Sequence, residues 1–265
     1  MSKNQKEKKS KWNYKLGLAD TINYIALSVI ILICWHYVTT KGEVSSLLLP
    51  SIEQVKRNFL LQLNSGQLIK DVIASIITVG IGFLVGSILG IVFGILMGAF
   101  DRFNKFFSFI FDAIRQIPGL AWFPLIILWF GIGDLSKIIL VARGTFFPVL
   151  VNTIDGINST NPRYMDLVKL YKVKTRDVIL KIYVPSALPF LCVGLRLGAS
   201  TAWMSVVAAE MLGASSGLGF RIANSQQLMQ SDVMIVDILI IGILGWVIDV
   251  VLKKVTVRMT RWCRV

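Results

Sequence analysis

Residues 82–98 read GFLVGSILGIVFGILMG, with Gly82, Gly86, Gly90, Gly94 and Gly98 at every fourth position among Leu, Ile, Val and Phe. A stretch this apolar and free of charge predicts a membrane-spanning helix, because about 20 apolar residues in a helix cross the hydrocarbon core. The spacing places all five glycines along one nearly axial groove. With no Cβ on that face a neighbouring backbone can approach closely, which is how helices associate in lipid without a hydrophobic drive between them. The other use of such a face is as a moving or pore-lining surface. The predicted span covers about 72–100 and is long enough to tilt.

Five further spans follow from the same criterion, over about 21–39, 106–130, 137–157, 187–212 and 233–252, the second of these interrupted at Pro118-Gly119. The composition agrees. The 265-residue chain is 55% hydrophobic with a mean hydropathy of +0.69, against about 45–50% apolar residues in soluble domains. A net charge of +13 would suggest nucleic acid in a soluble protein. Here the positions of the charges point to a membrane instead. Lys3, Lys6, Lys8, Lys9, Lys11 and Lys15 precede the first span, and Lys253, Lys254, Arg258, Arg261 and Arg264 follow the last. With both tails inside, nineteen of the 28 Lys and Arg fall on the cytoplasmic side and six outside, as the positive-inside rule requires. The expected fold is therefore an all-α membrane protein of six transmembrane helices with both termini cytoplasmic.

Cys34, Cys192 and Cys263 lie in or beside apolar spans without metal-type spacing, so they are read as packing residues. The first apolar run lacks a small-residue cleavage site and is read as a retained helix. Between the first two spans, LLLPSIEQVKRNFLLQL (47–63) has the apolar spacing of an amphipathic helix at the outer interface. The segment GASSGLGFRIANSQQLMQS (213–231) is read as a polar external connection.

Between the fourth and fifth spans lies a loop, 158–186, far longer than a helix–helix connection needs. Leu167, Leu170, Tyr171 and Val173 have helical spacing that offers one face for docking. A second helix, capped by Thr175 or Asp177, is expected to stop at Pro185, with Pro189 in the first turn of the next helix. Two such breaks predict a rigid elbow between an interfacial helix and the fifth span.

This loop resembles the EAA coupling loop of ATP-binding-cassette importer permeases, whose pattern is Glu-Ala-Ala, three residues, Gly, nine residues, then Ile-x-Leu-Pro. Asp166 takes the Glu position, Leu167 and Val168 the alanines, Lys172 the glycine, and Ile182-Tyr183-Val184-Pro185 the closing motif. Five further blocks are similar to the nitrate/sulfonate/taurine branch of these permeases: LLLPS (47–51), IILWFGIGDLSK (126–137), FFPVLVNTIDGI (146–157), LPFLCVGLRLGASTAW (188–203) and AAEMLGASSGLGF (208–220). The resemblance implies a type I importer permease fold. Its expected parts are a basic tail over 1–20, a first transmembrane helix with external amphipathic segment over 21–68, a permease core over 69–252 that contains coupling loop 158–186, and a second basic tail over 253–265. It implies coupling to an ATPase through Asp166, Leu167, Val168, Leu170, Tyr171, Lys172 and Pro185. The implied partners are two ATPase subunits, an extracytoplasmic solute-binding protein and a second copy of the chain, in a bacterial inner membrane. ATP and Mg belong to the ATPase, and this chain is expected to hold no cofactor or metal.

The residues themselves show no bond-breaking chemistry: no paired-histidine motif, no phosphate loop and no nucleophile elbow. An enzyme is not expected, and neither is a nucleic-acid partner. Charges inside spans are costly and usually face a cavity or a partner. Arg143, Arg196 and Glu210 are accordingly candidate translocation-path residues, the arginines as weak sites for an anion, with structural ion pairs as the alternative. Asp112 and Arg115, three apart, are read as a pair on one helix face, and the lone His36 as interfacial. The implied cargo is a small anionic or zwitterionic solute of the sulfonate, taurine or nitrate type. The alternative is a thiamine-type pyrimidine carried by the same machinery. An ion-coupled secondary transporter would show paired broken helices in two halves, and only Pro118-Gly119 qualifies.

Overall fold

The structure, a computed structural model, describes residues 18–42 and 45–260. The lysines predicted to form the first basic tail, and Arg261, Cys263 and Arg264 of the second, lie outside the described residues. Among the described residues ten α-helices follow in order: α1 (Leu18–Lys41), α2 (Ile52–Asn64), α3 (Gln67–Ala99), α4 (Asp101–Gln116), α5 (Phe123–Phe130), α6 (Asp134–Asn158), α7 (Pro162–Leu170), α8 (Thr175–Gly213), α9 (Leu218–Gln227) and α10 (Ser231–Met259). No strand occurs among the described residues. The helices α3, α6, α8 and α10 are each long and apolar enough to cross a membrane, and α4 with the segment Gly119–Phe130 makes a fifth span if counted together. Helix α1 covers the predicted first span and carries exposed apolar residues from Leu27 to Tyr37.

The glycine groove of α3 faces α6. A Cβ on Gly82 would lie 2.6 Å from the Val141 Cβ, one on Gly90 2.8 Å from the Phe146 carbonyl oxygen, and one on Gly94 2.6 Å from the Thr153 Cβ. These pairings run in register along both helices, so α3 and α6 are parallel and packed backbone to backbone. The other side of α6 meets α8 in the opposite direction, Gly156 against Ala187 and Gly198 against Thr145. A sandwich of α3, α6 and α8 is thus the frame of the molecule. It has one end at the connection 159–174 (the loop end) and a far end near Gln67, Asp134 and Gly213.

The third predicted span is not straight. Helix α4 stops at Gln116, Ile117 is extended at φ −79° and ψ 124°, and after a 3-10 turn at Gly119–Trp122 the chain continues in α5 at a bend of 96°. Pro118 explains the stop, because its ring excludes helical geometry at the preceding residue. Phe103, Phe107, Phe111 and Ile114 form the apolar side of α4 and pack on Met97, Phe146 and Phe147. Phe93 of α3 meets the Phe107 and Phe111 rings edge-on at 6.0 and 5.7 Å.

The elbow predicted at Pro185 and Pro189 is absent: helix α8 runs unbroken for 39 residues from Thr175 to Gly213, and Pro189 lies inside it. A π turn at Ile179–Tyr183 takes up the misfit, with the Val184 N–H donating to the Ile179 carbonyl. The widened turn lets the chain pass a proline that a regular α turn would reject. The helix that carries the predicted fifth span therefore begins within the loop, at Thr175. The connection 213–231, read as a polar external segment, contains the ten-residue helix α9. The expected amphipathic helix is α2, held at its start by a capping box in which Ser51 and Gln54 each bond the other's backbone N–H.

Candidate functional site

At the loop end, α7 carries the residues expected to couple. Asp166, Leu167, Leu170 and Tyr171 are exposed, the last two 73% each, and Val168 is half-buried. The helix closes in a Schellman motif, with the Val173 N–H donating to the Val168 carbonyl at 3.1 Å. That motif requires a left-handed residue at its end. Lys172 supplies it at φ 48°, one of two non-glycine residues with positive φ among the described residues. The position where the permease pattern has glycine is therefore the one whose backbone favours glycine. Pro185 is separated from α7 by the first turns of α8 and the π turn, and it stands on the helix that continues from the loop.

Two of the intramembrane arginines are occupied by protein groups. Arg143 on α6 reaches the break after α4, donating to the carbonyls of Ile114 at 2.9 Å and Ile117 at 2.7 Å. Its guanidinium also lies 5.7 Å from the Trp122 ring and 5.4 Å from the Phe147 ring. A cation at the carbonyl end of a helix complements its dipole, so Arg143 holds the bend of the α4–α5 pair. Arg196 on α8 makes a two-pronged ion pair with Asp249 on α10, at 2.6 and 2.8 Å. Arg115 differs: among the described residues it meets only Asp112, at 3.3 Å.

The far end holds a buried polar network that ties five elements together. The Ser75 hydroxyl donates to Glu210 at 2.7 Å and accepts the Leu218 N–H at 3.0 Å. Glu210, 1% exposed, also accepts the Gly219 N–H at 2.9 Å, and Asp71 accepts the Gly217 N–H at 3.1 Å. The two carboxylates thus satisfy free N–H groups at the start of α9 and sit at the positive end of its dipole. Gly217, at φ +106°, leaves no room for a side chain, since a Cβ there would collide with the Glu210 carboxylate. Arg221 on α9 joins Asp71 at 3.3 Å and Asp237 on α10 at 3.0 Å, and it also bonds Gln62 of α2. Glu210, expected along the path, lies inside this network.

The sequence reading did not single out Asp71, Ser75, Asp237 or Asp249. Asp71 and Gly217 are 146 residues apart, and no periodicity links such positions. The intramembrane carboxylates were nonetheless visible as charges inside apolar runs, and each signals a partner. Among the described residues no group of three His, Cys, Asp or Glu side chains could hold a metal ion.

This fold and this loop define a class. Residues 86–261 match the family described as binding-protein-dependent transport system inner membrane component, and the chain belongs to it. A putative ABC transporter permease protein of Methanocaldococcus jannaschii is 36% identical, over 94% of this chain and 97% of the relative. A putative aliphatic sulfonates transport permease protein of Bacillus subtilis is 33% identical, over 90% and 86%. The taurine transport system permease protein of Escherichia coli is 28% identical, over 95% and 93%. A chain of the MetNI methionine ABC transporter, solved in inward-facing conformations, superposes with a TM-score of 0.64 at 18% identity, over 73% of this chain and 96% of that one. The chain is thus a multi-pass transport subunit with the type I importer fold.

Proposed function

We propose that the chain is the permease of an ATP-driven importer, working as a homodimer with two ATPase subunits and an extracytoplasmic solute-binding protein. The tails and the loop end face the cytoplasm of a bacterial cell, in line with the distribution of Lys and Arg. The cargo is a small anionic or zwitterionic solute, in keeping with relatives named for aliphatic sulfonates, taurine and nitrate. Each ATPase holds ATP and Mg, and its cleft receives α7 through Leu167, Leu170 and Tyr171. Asp166 and Val168 flank that contact. ATP binding displaces α7, and the displacement passes along α8 into the sandwich with α6 and α3, a population shift between two packings. Arg143, Arg196 and Glu210 belong to the frame that moves and not to the wall of the path.

The observation that carries the coupling reading is the apolar face of α7, left exposed and closed by Lys172 in the glycine conformation. Pull-down of the chain from native membranes in mild detergent tests it. An ABC ATPase co-purifies with the natural chain and is lost from a Leu170→Asp, Tyr171→Asp variant that still inserts. Recovery of the ATPase with that variant refutes the coupling face, and recovery of the natural chain without an ATPase favours a secondary transporter.

A further inference from the structure

A cavity of about 280 Å³ lies between α4 and α6 on the loop-end half of the bundle. Its polar lining comes from Asn104, Ser108, Asp112 and Arg115 on α4 and Asp155 on α6. The four α4 residues follow helical spacing, so they make one stripe beside the aromatic side that packs on α3 and α6. Met97, Phe147 and Leu150 form the apolar floor. The side chains of Arg115 and Asp112 are 42% and 66% exposed there, although charges turned toward hydrocarbon are costly. That cost is avoided where the charges face a wet cavity.

The charges in the cavity are mixed and incompletely paired. Arg143 is enclosed by two aromatic rings and gives Nη2 to two carbonyls, and Arg196 grips Asp249 through two nitrogens, whereas among the described residues Arg115, on the open cavity, engages Asp112 through a single contact. A guanidinium carries five N–H donors, so Arg115 keeps several for a ligand. Asp155 is exposed, and its carboxylate has no side-chain partner among the described residues. Two carboxylates against one guanidinium leave the cavity with a formal charge of minus one. A simple anion on Arg115 would be opposed by Asp112 and Asp155. A solute with an anionic end and a cationic end is not, because its ammonium can lie against those carboxylates while its anion takes the free edge of Arg115.

We infer that the α4–α6 cavity is a transit site for a small zwitterion, a solute carrying both a strong-acid anion and an ammonium group. The inference rests on the importer reading above and narrows its cargo class. Affinity at such a site is weak, since a path must release what it holds.

Two radiolabelled probes test it, 2-aminoethanesulfonate and ethanesulfonate, which share the anion and carbon chain and differ by one ammonium. Each is titrated by scintillation proximity against the full chain in lipid nanodiscs, without a binding protein. The natural chain prefers the zwitterion by about fivefold, the scale of one solvated ion pair. Asp112→Asn and Asp155→Asn each reduce that ratio and together bring it to unity, whereas Arg115→Gln weakens both probes. Equal binding of the two probes, binding of neither, or a ratio that survives the double variant overturns the inference. Asp155→Asn removes an exposed carboxylate without a side-chain partner among the described residues, so it decides the matter even if a variant at Asp112 fails to insert. ATPase recovery is scored on the same preparations: a recovered ATPase with no probe preference sinks the transit site alone, and a missing ATPase sinks the importer reading.

Discussion

Replacing Arg143 with methionine tests whether this side chain holds the bend between α4 and α5. The guanidinium bonds two carbonyls at a helix end that no other described side chain caps, at 2.9 and 2.7 Å, and contacts two aromatic rings. Both bonds are only partly shielded, so each is taken at the lower edge for a charged donor, about 1.5 kcal/mol, giving a loss of about 3 kcal/mol. Lysine offers one compact charge in place of a planar fork. Both bonds leave from the one nitrogen Nη2, and a lysine, shorter and without the guanidinium plane that lies near the Trp122 and Phe147 rings, should recover about half of that loss. Unfolding is followed by titration with SDS in mixed micelles. Spin labels at the exposed positions of Phe109 and Leu128 report the distance across the bend. The methionine variant should broaden that distance distribution while the lysine variant stays near the natural one. If both variants unfold within about 0.5 kcal/mol of the natural chain, the scale of an ordinary surface substitution, and leave the spin-label distance unchanged, Arg143 does not hold the break.

Three further outcomes are expected. Gly94→Val forces a side chain against Thr153, where a Cβ alone would come to 2.6 Å, and should cost about 1–3 kcal/mol or more by overpacking. Gly80→Ala, at a position with open space around it, should be neutral or gain up to about 1 kcal/mol of helix propensity, and equal behaviour of the two variants would argue against the α3–α6 groove. Lys172→Gly relieves a left-handed lysine at φ 48° and should slow hydrogen exchange of the α7 C-terminal amides by an amount equivalent to about 1 kcal/mol; unchanged protection would mean the conformation carries no strain. Arg221→Met strands the buried Asp71 and Asp237 carboxylates and should cost about 3–5 kcal/mol, read as loss of chain that survives detergent extraction in folded form.

Local patterns in the chain carried much of this architecture. The spacing of Gly82 to Gly98 identified α3 and the face that it packs, and the apolar spacing of 47–63 placed α2. Pro118 located the break in the third span, because the effect of a proline on the preceding residue is a matter of bond geometry. The same reasoning failed at Pro185. A proline can be absorbed when the turn before it widens, as it does at 179–183, and the order of residues does not show whether a turn will widen. The angle of the Pro118 break was likewise out of reach, since it is set by Arg143, 26 and 29 residues along the chain from the carbonyls it bonds.

Charges divided in the same way. That Arg115, Arg143, Arg196, Glu210 and Asp237 stand in apolar stretches is plain from the order of residues, and burial cost alone says that each needs a partner. Hydropathy, glycine period and proline position are properties of neighbours in the chain, and they determined most of the helical segments, which of them are apolar enough to cross a membrane and where one of them breaks. Pairing of ionic groups depends on distances of a few ångströms between helices far apart in the chain. Only the packed bundle decided that Arg196 goes to Asp249, that Glu210 and Asp71 cap α9, and that Arg115 is left with donors to spare.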